Sequence, residues 1–288
     1  MKSFFATKIL SHPGQTALAP IFEVIITMPT LDMPLLSQIF CVALVGGVLG
    51  LDRTAAGQFM ISQPIVAAPL IGWMLGDTTA GLVIGAVLEL IWVLDMPVGT
   101  FVPADSTVGA VSATAIAVLG GGGHATPDLI GFSVLLTTAA APVTMTVDGT
   151  IRKRNSRLAD RAASAPGEDA GKKLSRAHLT GLAVFFLTSF VLNLVFVPAG
   201  LFAVSLFARM PEKAHNALAL FVKLLPLLGT ALVVRKLSIR NLDRFFLAGF
   251  VVAALLTLVF PLHPLIIILL VTTAGYLATQ ELMFRQKG

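Results

Sequence analysis

The fold class this sequence predicts is an all-α polytopic integral membrane protein with about seven to nine membrane segments, some broken or re-entrant in the N-terminal half. Three observations carry that reading. Of the 288 residues, 56% are hydrophobic and only 12% charged, against about 25% charged in soluble domains. The mean hydropathy is +0.89. The apolar residues also gather in successive runs, near 34–51, 61–76, 80–95, 98–119, 129–150, 177–200, 216–234, 245–260 and 264–280. A hydrocarbon layer of about 30 Å takes roughly 20 apolar residues as helix, so these runs suit lipid and do not describe a soluble enzyme. The net charge of +5 and pI near 9.7 do not point to nucleic acid either, because the basic residues are concentrated in short stretches between runs, as the positive-inside pattern requires.

Residues 1–32 fit the rest poorly. Glu23 interrupts their only apolar run and no small-residue cleavage site follows, so a signal peptide is not expected. The functional chain is expected to begin near Met33, with 33–288 forming one membrane domain. In the first run, Cys41 is expected in the core, by the burial habit of free cysteine. Asp52 beside Arg53 at its end reads as a local interface pair. The next runs are heavily punctuated: Pro64 and Pro69, then Gly72, Gly76, Gly81 and Gly85, then Pro97, Gly99 and Pro103. Proline removes a helix donor and glycine weakens the helix, so this region reads as broken or re-entrant helices. Such backbone survives at membrane depth only where it is buried or lines a cavity, which places a candidate binding site between about 60 and 110. Gly46/Gly50, Gly72/Gly76 and Gly81/Gly85 are spacings that let helices approach closely.

Arg152 to His178 is the longest polar stretch, with Arg152, Lys153, Arg154, Arg157, Arg161, Lys172, Lys173 and Arg176 against Asp160, Glu168 and Asp169. It is expected to be a cytoplasmic basic loop, about 152–176, and Asp148 one helical turn before Arg152 reads as a second local pair. Alternating crossings from there return Arg235, Lys236, Arg240 and Arg244, and then Arg285 and Lys287, to the same side. Leu201–Asn216 is the dissenting short loop, with an amphipathic interfacial piece as the alternative.

Three polar residues stand out as site candidates. Glu89 lies in an apolar helix pattern with no cation within a turn, where a charge costs about 2.5–3.5 kcal/mol and normally faces a cavity or a partner. Asp105 follows Pro103 and precedes Ser106 and Thr107, so it either caps a helix or binds solute. Gln63, just before Pro64, offers both a donor and an acceptor to a polyol. Paired carboxylates suit sugar hydroxyls, whose hydrogen bonds ionised acceptors strengthen. Asp77 reads as a turn residue and Asp95 as a helix-end residue, while Lys223 either snorkels or pairs with an acid from another segment. His124, His178 and His263 have no nucleophile or metal partner at short spacing, and Gly120–Gly123 lacks the strand and Lys-Ser/Thr of a phosphate loop. No metal, cofactor or catalytic site is expected.

The stretch 59–110, with Gln63-Pro64, Leu75-Gly76-Asp77, Gly81, Gly85 through Leu88-Glu89, then Pro97-Val98-Gly99 and Pro103-Ala104-Asp105, resembles the IIC membrane subunit of the mannose-family phosphotransferase system (the mannose/fructose/sorbose group). The likeness is specific over roughly 35–115; beyond 120 it rests on hydropathy and the basic stretch. Gln63 stands where such proteins often have a basic residue. The resemblance implies a permease subunit that carries a hexose or amino sugar through the inner membrane beside a IID subunit, as part of an oligomer in membrane lipid. Separate IIA/IIB components would phosphorylate the sugar on the cytoplasmic side. Gln63, Glu89 and Asp105 then become the sugar-site candidates. The alternatives are a free-standing carrier coupled to protons through Glu89, and a regulatory or scaffold membrane subunit.

Overall fold

The computed structural model describes residues 33–92, 95, 101–164, 170–237, 249–252 and 255. The chain divides into a unit of residues 1–233 and a second of 234–288, and the architecture described is that of the first. Its helices are α1 (Met33–Thr54), α2 (Pro64–Leu75), α3 (Thr78–Trp92), α4 (Ser106–Gly120), α5 (Pro127–Ala139), α6 (Ala141–Ala163), α7 (Ala170–Phe207) and α8 (Glu212–Leu237). All the regular structure among the described residues is helical. Helices α1, α7 and α8 are long and apolar enough to cross a membrane, and α5 with α6, bent by 41° at their break, passes the same test of length and composition only as a pair, which fits a broken span or a re-entrant loop. The seven apolar runs up to residue 234 thus each become helix. Of the run at 245–260 only 249–252 and 255 are described, as helix; the run at 264–280, His263 and the basic positions 240, 244, 285 and 287 lie outside the described residues, as do residues 1–32.

The punctuated region is a hairpin of short helices. Helix α2 has 12 residues and so measures about 18 Å, well short of the hydrocarbon thickness. Proline at its first position is tolerated because that N–H has no helical partner, and Gly76 ends it with φ +96°, a left-handed conformation that L side chains resist. Asp77 opens α3: its Oδ1 accepts from the Ala80 N–H at 2.9 Å and its Oδ2 from the Ala125 N–H at 3.0 Å. The Ala80 bond, with that from Ala125 and the coulombic effect of His124, holds this carboxyl below its ordinary range against the opposing effect of burial. The turn residue expected at 77 is therefore also the cap of α3 and the tie to the turn after α4. Gly72, Gly81 and Gly85 sit where the two helices touch. Gly76 is not a packing residue, so the Gly72/Gly76 spacing divides between two jobs.

Helix α4 is the centre. Residues 107–118 are all buried, walled by α1, α2, α3, α5 and α7. Its small side chains let the neighbours close in: Gly109 lies against the Trp92 ring and Ile116 against Gly200 of α7. The joint of α1, α4 and α7 is polar. Asn193 of α7, fully buried, accepts from the Ser112 hydroxyl at 2.9 Å and donates to the Ser189 carbonyl at 2.7 Å, and Gly46 and Gly50 of α1 leave room for Asn193 and Ser189.

Three expectations are corrected. Cys41 is exposed on the outer face of α1, because in lipid an apolar side chain gains little by turning inward. The basic stretch is not a loop: α6 continues to Ala163 and α7 begins at Ala170, since Arg, Lys, Ala and Leu are strong helix formers, and a charged helical arm results. At 38 residues, α7 is about 57 Å long, nearly twice the hydrocarbon thickness. Leu201–Asn216 is no interfacial helix either; α7 runs to Phe207 and α8 starts at Glu212. That turn is fastened by the His215 Nδ1···Asp128 Oδ2 contact of 2.6 Å and by Phe207 stacked on Phe132 with ring centroids 4.5 Å apart.

The bundle therefore has two ends. Arg53, Asp105 and Asp148 meet at one, from which the basic arm projects; His124 lies with Asp77 at the opposite end of α4. In a Cys41→Ser background, His124→Cys and Ser164→Cys are expected to react with an impermeant maleimide from opposite faces of the membrane, Ser164→Cys from the cytoplasmic one. Labelling of both from one face would overturn this topology.

Candidate functional site

The start of α2 is built from α1. Two non-glycine residues in the connection, Gln58 and Met60, have φ of 55° and 65° beside Gly57 at 81°. This left-handed backbone carries strain and persists only where its surroundings dictate it. Asp52 dictates it: Oδ1 accepts from the Phe59 N–H at 2.6 Å and Oδ2 from the buried Ser62 N–H at 3.1 Å. Asp52 and Arg53 therefore point to different partners and are not the local pair their adjacency suggested.

At the next residue along, Gln63 is the cap of α2, and its side chain makes no capping hydrogen bond. Its amide is thus not spent on the helix end. The function a cap would serve is supplied from α3, where Glu89 Oε2 accepts from the Ile65 N–H at 3.2 Å. A carboxylate beside a helix N-terminus is also favoured by the helix dipole. Gln63 and Glu89, both partly exposed, therefore meet at one helix end.

Asp105 begins α4. Its Oδ1 accepts from the Thr107 and Val108 N–H groups, each at 3.1 Å, so the capping alternative is realised. The two helix starts are neighbours, because the Thr107 hydroxyl donates to the Ser62 carbonyl at 3.0 Å. All three candidates thus lie around the adjoining first turns of α2 and α4: Gln63 and Glu89 partly open, Asp105 buried at 9% exposure.

A charge network that the sequence did not reveal lies behind Asp105. Arg53 Nη1 is 3.1 Å from Asp105 Oδ2 and 3.6 Å from Asp148 Oδ2, while Nη2 donates to the carbonyls of Ala104, at 2.9 Å, and Pro103, at 3.3 Å. Arg152 donates from Nε to Asp148 Oδ1 at 3.1 Å and from Nη2 to Oδ2 at 3.2 Å. The expected Asp148–Arg152 pair is present, but within a network joining α1, α4 and α6. The Asp105 N–H also donates to the Thr144 hydroxyl at 3.0 Å. The guanidinium fork suits such multiple acceptance. Lys223 is exposed on α8, and among the described residues no group of three or more His, Cys, Asp or Glu is arranged to hold a metal.

This arrangement offers acceptors and an amide on irregular backbone and so can bind a hydroxyl-rich solute. A family model described as the sorbose-specific IIC component of the PTS system matches residues 36–276. The chain is 29% identical over 214 residues to the PTS system sorbose-specific EIIC component of Klebsiella pneumoniae, covering 73% of this chain and 75% of that protein. It is 27% identical over 238 residues to the PTS system mannose-specific EIIC component of Escherichia coli strain K12, covering 78% and 80%. A solved chain described as "Structure of membrane protein" superposes with a TM-score of 0.65 at 24% identity, over 85% of this chain and 95% of that one, and so shares the fold.

Proposed function

The chain belongs to the family of sorbose-specific IIC components of the phosphotransferase system and is an integral inner-membrane sugar permease component of it; from that premise we propose that it carries a hexose or amino sugar, bound by Gln63, Glu89 and Asp105, to partners that phosphorylate it. The observation that carries the reading is the meeting of two broken-helix starts with an uncommitted Gln63 amide and the Glu89 carboxylate, beside the Asp105 cap. Glu89 Oε2 is engaged by Ile65, which leaves Oε1 for sugar hydroxyls, and Gln63 adds a donor and an acceptor. Asp105 sets the start of α4 and forms the third corner. The site lies toward the end from which the basic arm projects, which under the positive-inside rule is the cytoplasmic end. A bound sugar there is within reach of soluble IIA/IIB phosphoryl donors, and a IID subunit would complete the membrane complex.

Glu89→Gln tests this. The amide keeps the size and one acceptor but loses charge-assisted bonds of about 1.5–3 kcal/mol each, so sugar affinity of the purified complex is expected to fall about tenfold or more, with assembly retained. Uptake should remain insensitive to an uncoupler and dependent on the phosphoryl donor. Uptake that collapses with the proton gradient, with sugar affinity unchanged in Glu89→Gln, would favour a proton-coupled carrier and overturn the proposal.

A further inference from the structure

A cavity of about 390 Å³ opens in the arm. It lies between the end of α1 at Thr54 and Ala55, the α6 face carrying Asn155, and the α7 face carrying His178, Gly181 and Phe185. Its volume is within the range of about 300–1,000 Å³ typical of small-molecule sites. Carbon dominates the lining, which includes Leu174, Leu182 and Phe185, and the polar groups are few: the Thr54 hydroxyl, the Asn155 amide and the His178 imidazole. Both Asn155 Oδ1 and Nδ2 are shielded from solvent and make no hydrogen bond to the protein. A shielded amide with two unmet hydrogen-bonding atoms is costly. The amide lies at the edge of the cavity, packed towards Gly181, and a ligand supplies its partner once the side chain turns inward.

We infer that this cavity binds an anionic phospholipid, with an acyl chain along Leu182 and Phe185 and the phosphate-bearing headgroup at Asn155 and His178. Three features select that occupant. The cavity begins where α1 ends, while α6 and α7 continue past it as a charged arm, so it sits at the level where a bilayer changes from hydrocarbon to headgroup. The lining has the same polarity gradient as a lipid, largely carbon with a few polar atoms, whereas a soluble phosphate ester would need several donors converging on it. The charge around the cavity is complementary too: no Lys or Arg lines it, but the arm surface that flanks it carries the exposed Arg154, Lys173 and Arg176, each next in sequence to a lining residue, against Asp160. Basic pockets between transmembrane helices on the cytoplasmic side recognise anionic headgroups. The inference does not depend on which sugar is carried or on the roles of Gln63, Glu89 and Asp105.

Gly181 provides the test. A Cβ there would lie 3.8 Å from Asn155 Nδ2, an ordinary contact with no backbone in the way, and leucine is a better helix former than glycine. Gly181→Leu should therefore fill the cavity while leaving the fold intact. The measurements are native mass spectrometry and thermal midpoints of the purified membrane complex, wild type and variant. The added probes are phosphatidylglycerol, phosphatidylcholine, glycerol 3-phosphate or inorganic phosphate. Wild type is expected to retain one phosphatidylglycerol and to be stabilised by it more than by phosphatidylcholine, with no shift from either soluble phosphate. Gly181→Leu is expected to bind phosphatidylglycerol at least tenfold more weakly at a lipid-free midpoint no lower than wild type, and Asn155→Leu gives the same readout if Gly181→Leu is poorly produced. Three results would each overturn the inference: equal retention of the two lipids, the same shift from a soluble phosphate, or undiminished phosphatidylglycerol binding in both cavity variants with loss only in Lys173→Gln/Arg176→Gln. The last would mean diffuse attraction of the arm to a charged surface, membrane or acidic protein alike.

Discussion

Arg53→Met is expected to destabilise the protein by about 3–5 kcal/mol, the cost of removing one partner from a buried ion pair. The side chains of Arg53, Asp105 and Asp148 are 13%, 11% and 10% exposed, so the two carboxylates lose their counter-charge where water reaches them poorly. Removing Arg53 also releases the Pro103 and Ala104 carbonyls, which hold the chain as it enters α4. The measurement is the unfolding midpoint of purified protein in mild detergent. Arg152→Met is the comparison: its side chain is 31% exposed and Asp148 keeps Arg53 when it is removed, so a smaller loss is expected. Adding Asp105→Asn to Arg53→Met should recover part of the loss, since asparagine still caps a helix but carries no charge. Equal midpoints for Arg53→Met and Arg152→Met would show that the network is not what joins α1, α4 and α6.

The second large effect is expected at the hairpin. A Cβ on Gly81 would lie 2.5 Å from the Ala68 carbonyl oxygen and 2.8 Å from Pro69 Cα. Both are backbone atoms, so no rotamer change relieves the clash and α2 must move off α3. Overpacking of this kind costs about 1–3 kcal/mol. The functional loss should exceed the stability loss, because Glu89 reaches Ile65 only while the two helices touch. Gly81→Leu is therefore expected to lower sugar affinity at least as far as Glu89→Gln does, with protein still inserted in the membrane. Gly149→Leu, where a Cβ meets nothing within 4 Å, should leave binding near wild type. Wild-type affinity in Gly81→Leu would separate the hairpin contact from sugar binding.

These two positions mark what was legible in the sequence and what was not. Gly81, Pro64 and the Gly76-Asp77 turn announce a broken hairpin because proline and glycine act locally, through donors and φ angles that their own side chains decide. Asp105 was legible as a cap for the same reason: its partners are two and three residues away. Arg53 was not, because the Ala104 carbonyl it grips lies 51 residues on, and the nearer Asp52 offered a ready but mistaken partner. Asn193, a lone amide in an apolar run, carried a signal of its own, since such residues in membrane helices commonly bond across to a neighbour; its partner Ser112 could not be named from it. Cys41 was misplaced because burial habits learned in water do not hold where the surroundings are hydrocarbon. The basic arm was read as loop because charge was taken for irregularity, although lysine and arginine favour helix.

The enclosure of α4 sets an order on biosynthesis. Every residue from 107 to 118 is buried, yet one wall is α7, and Ser112 meets Asn193 across 81 residues of chain. At about 5–20 residues per second, a ribosome takes on the order of 4–16 s to supply that wall. Through that interval the Ser112 hydroxyl waits without its partner, on a helix of 15 residues that is too short to cross the bilayer by itself. The innermost helix therefore reaches its final surroundings late, and the nascent chain passes through a stage in which α1 to α3 are complete while the centre stands open. Variants that weaken the Asn193 joint are accordingly expected to fail first at quality control during insertion, as lower yield, before they register as lower stability of the finished protein.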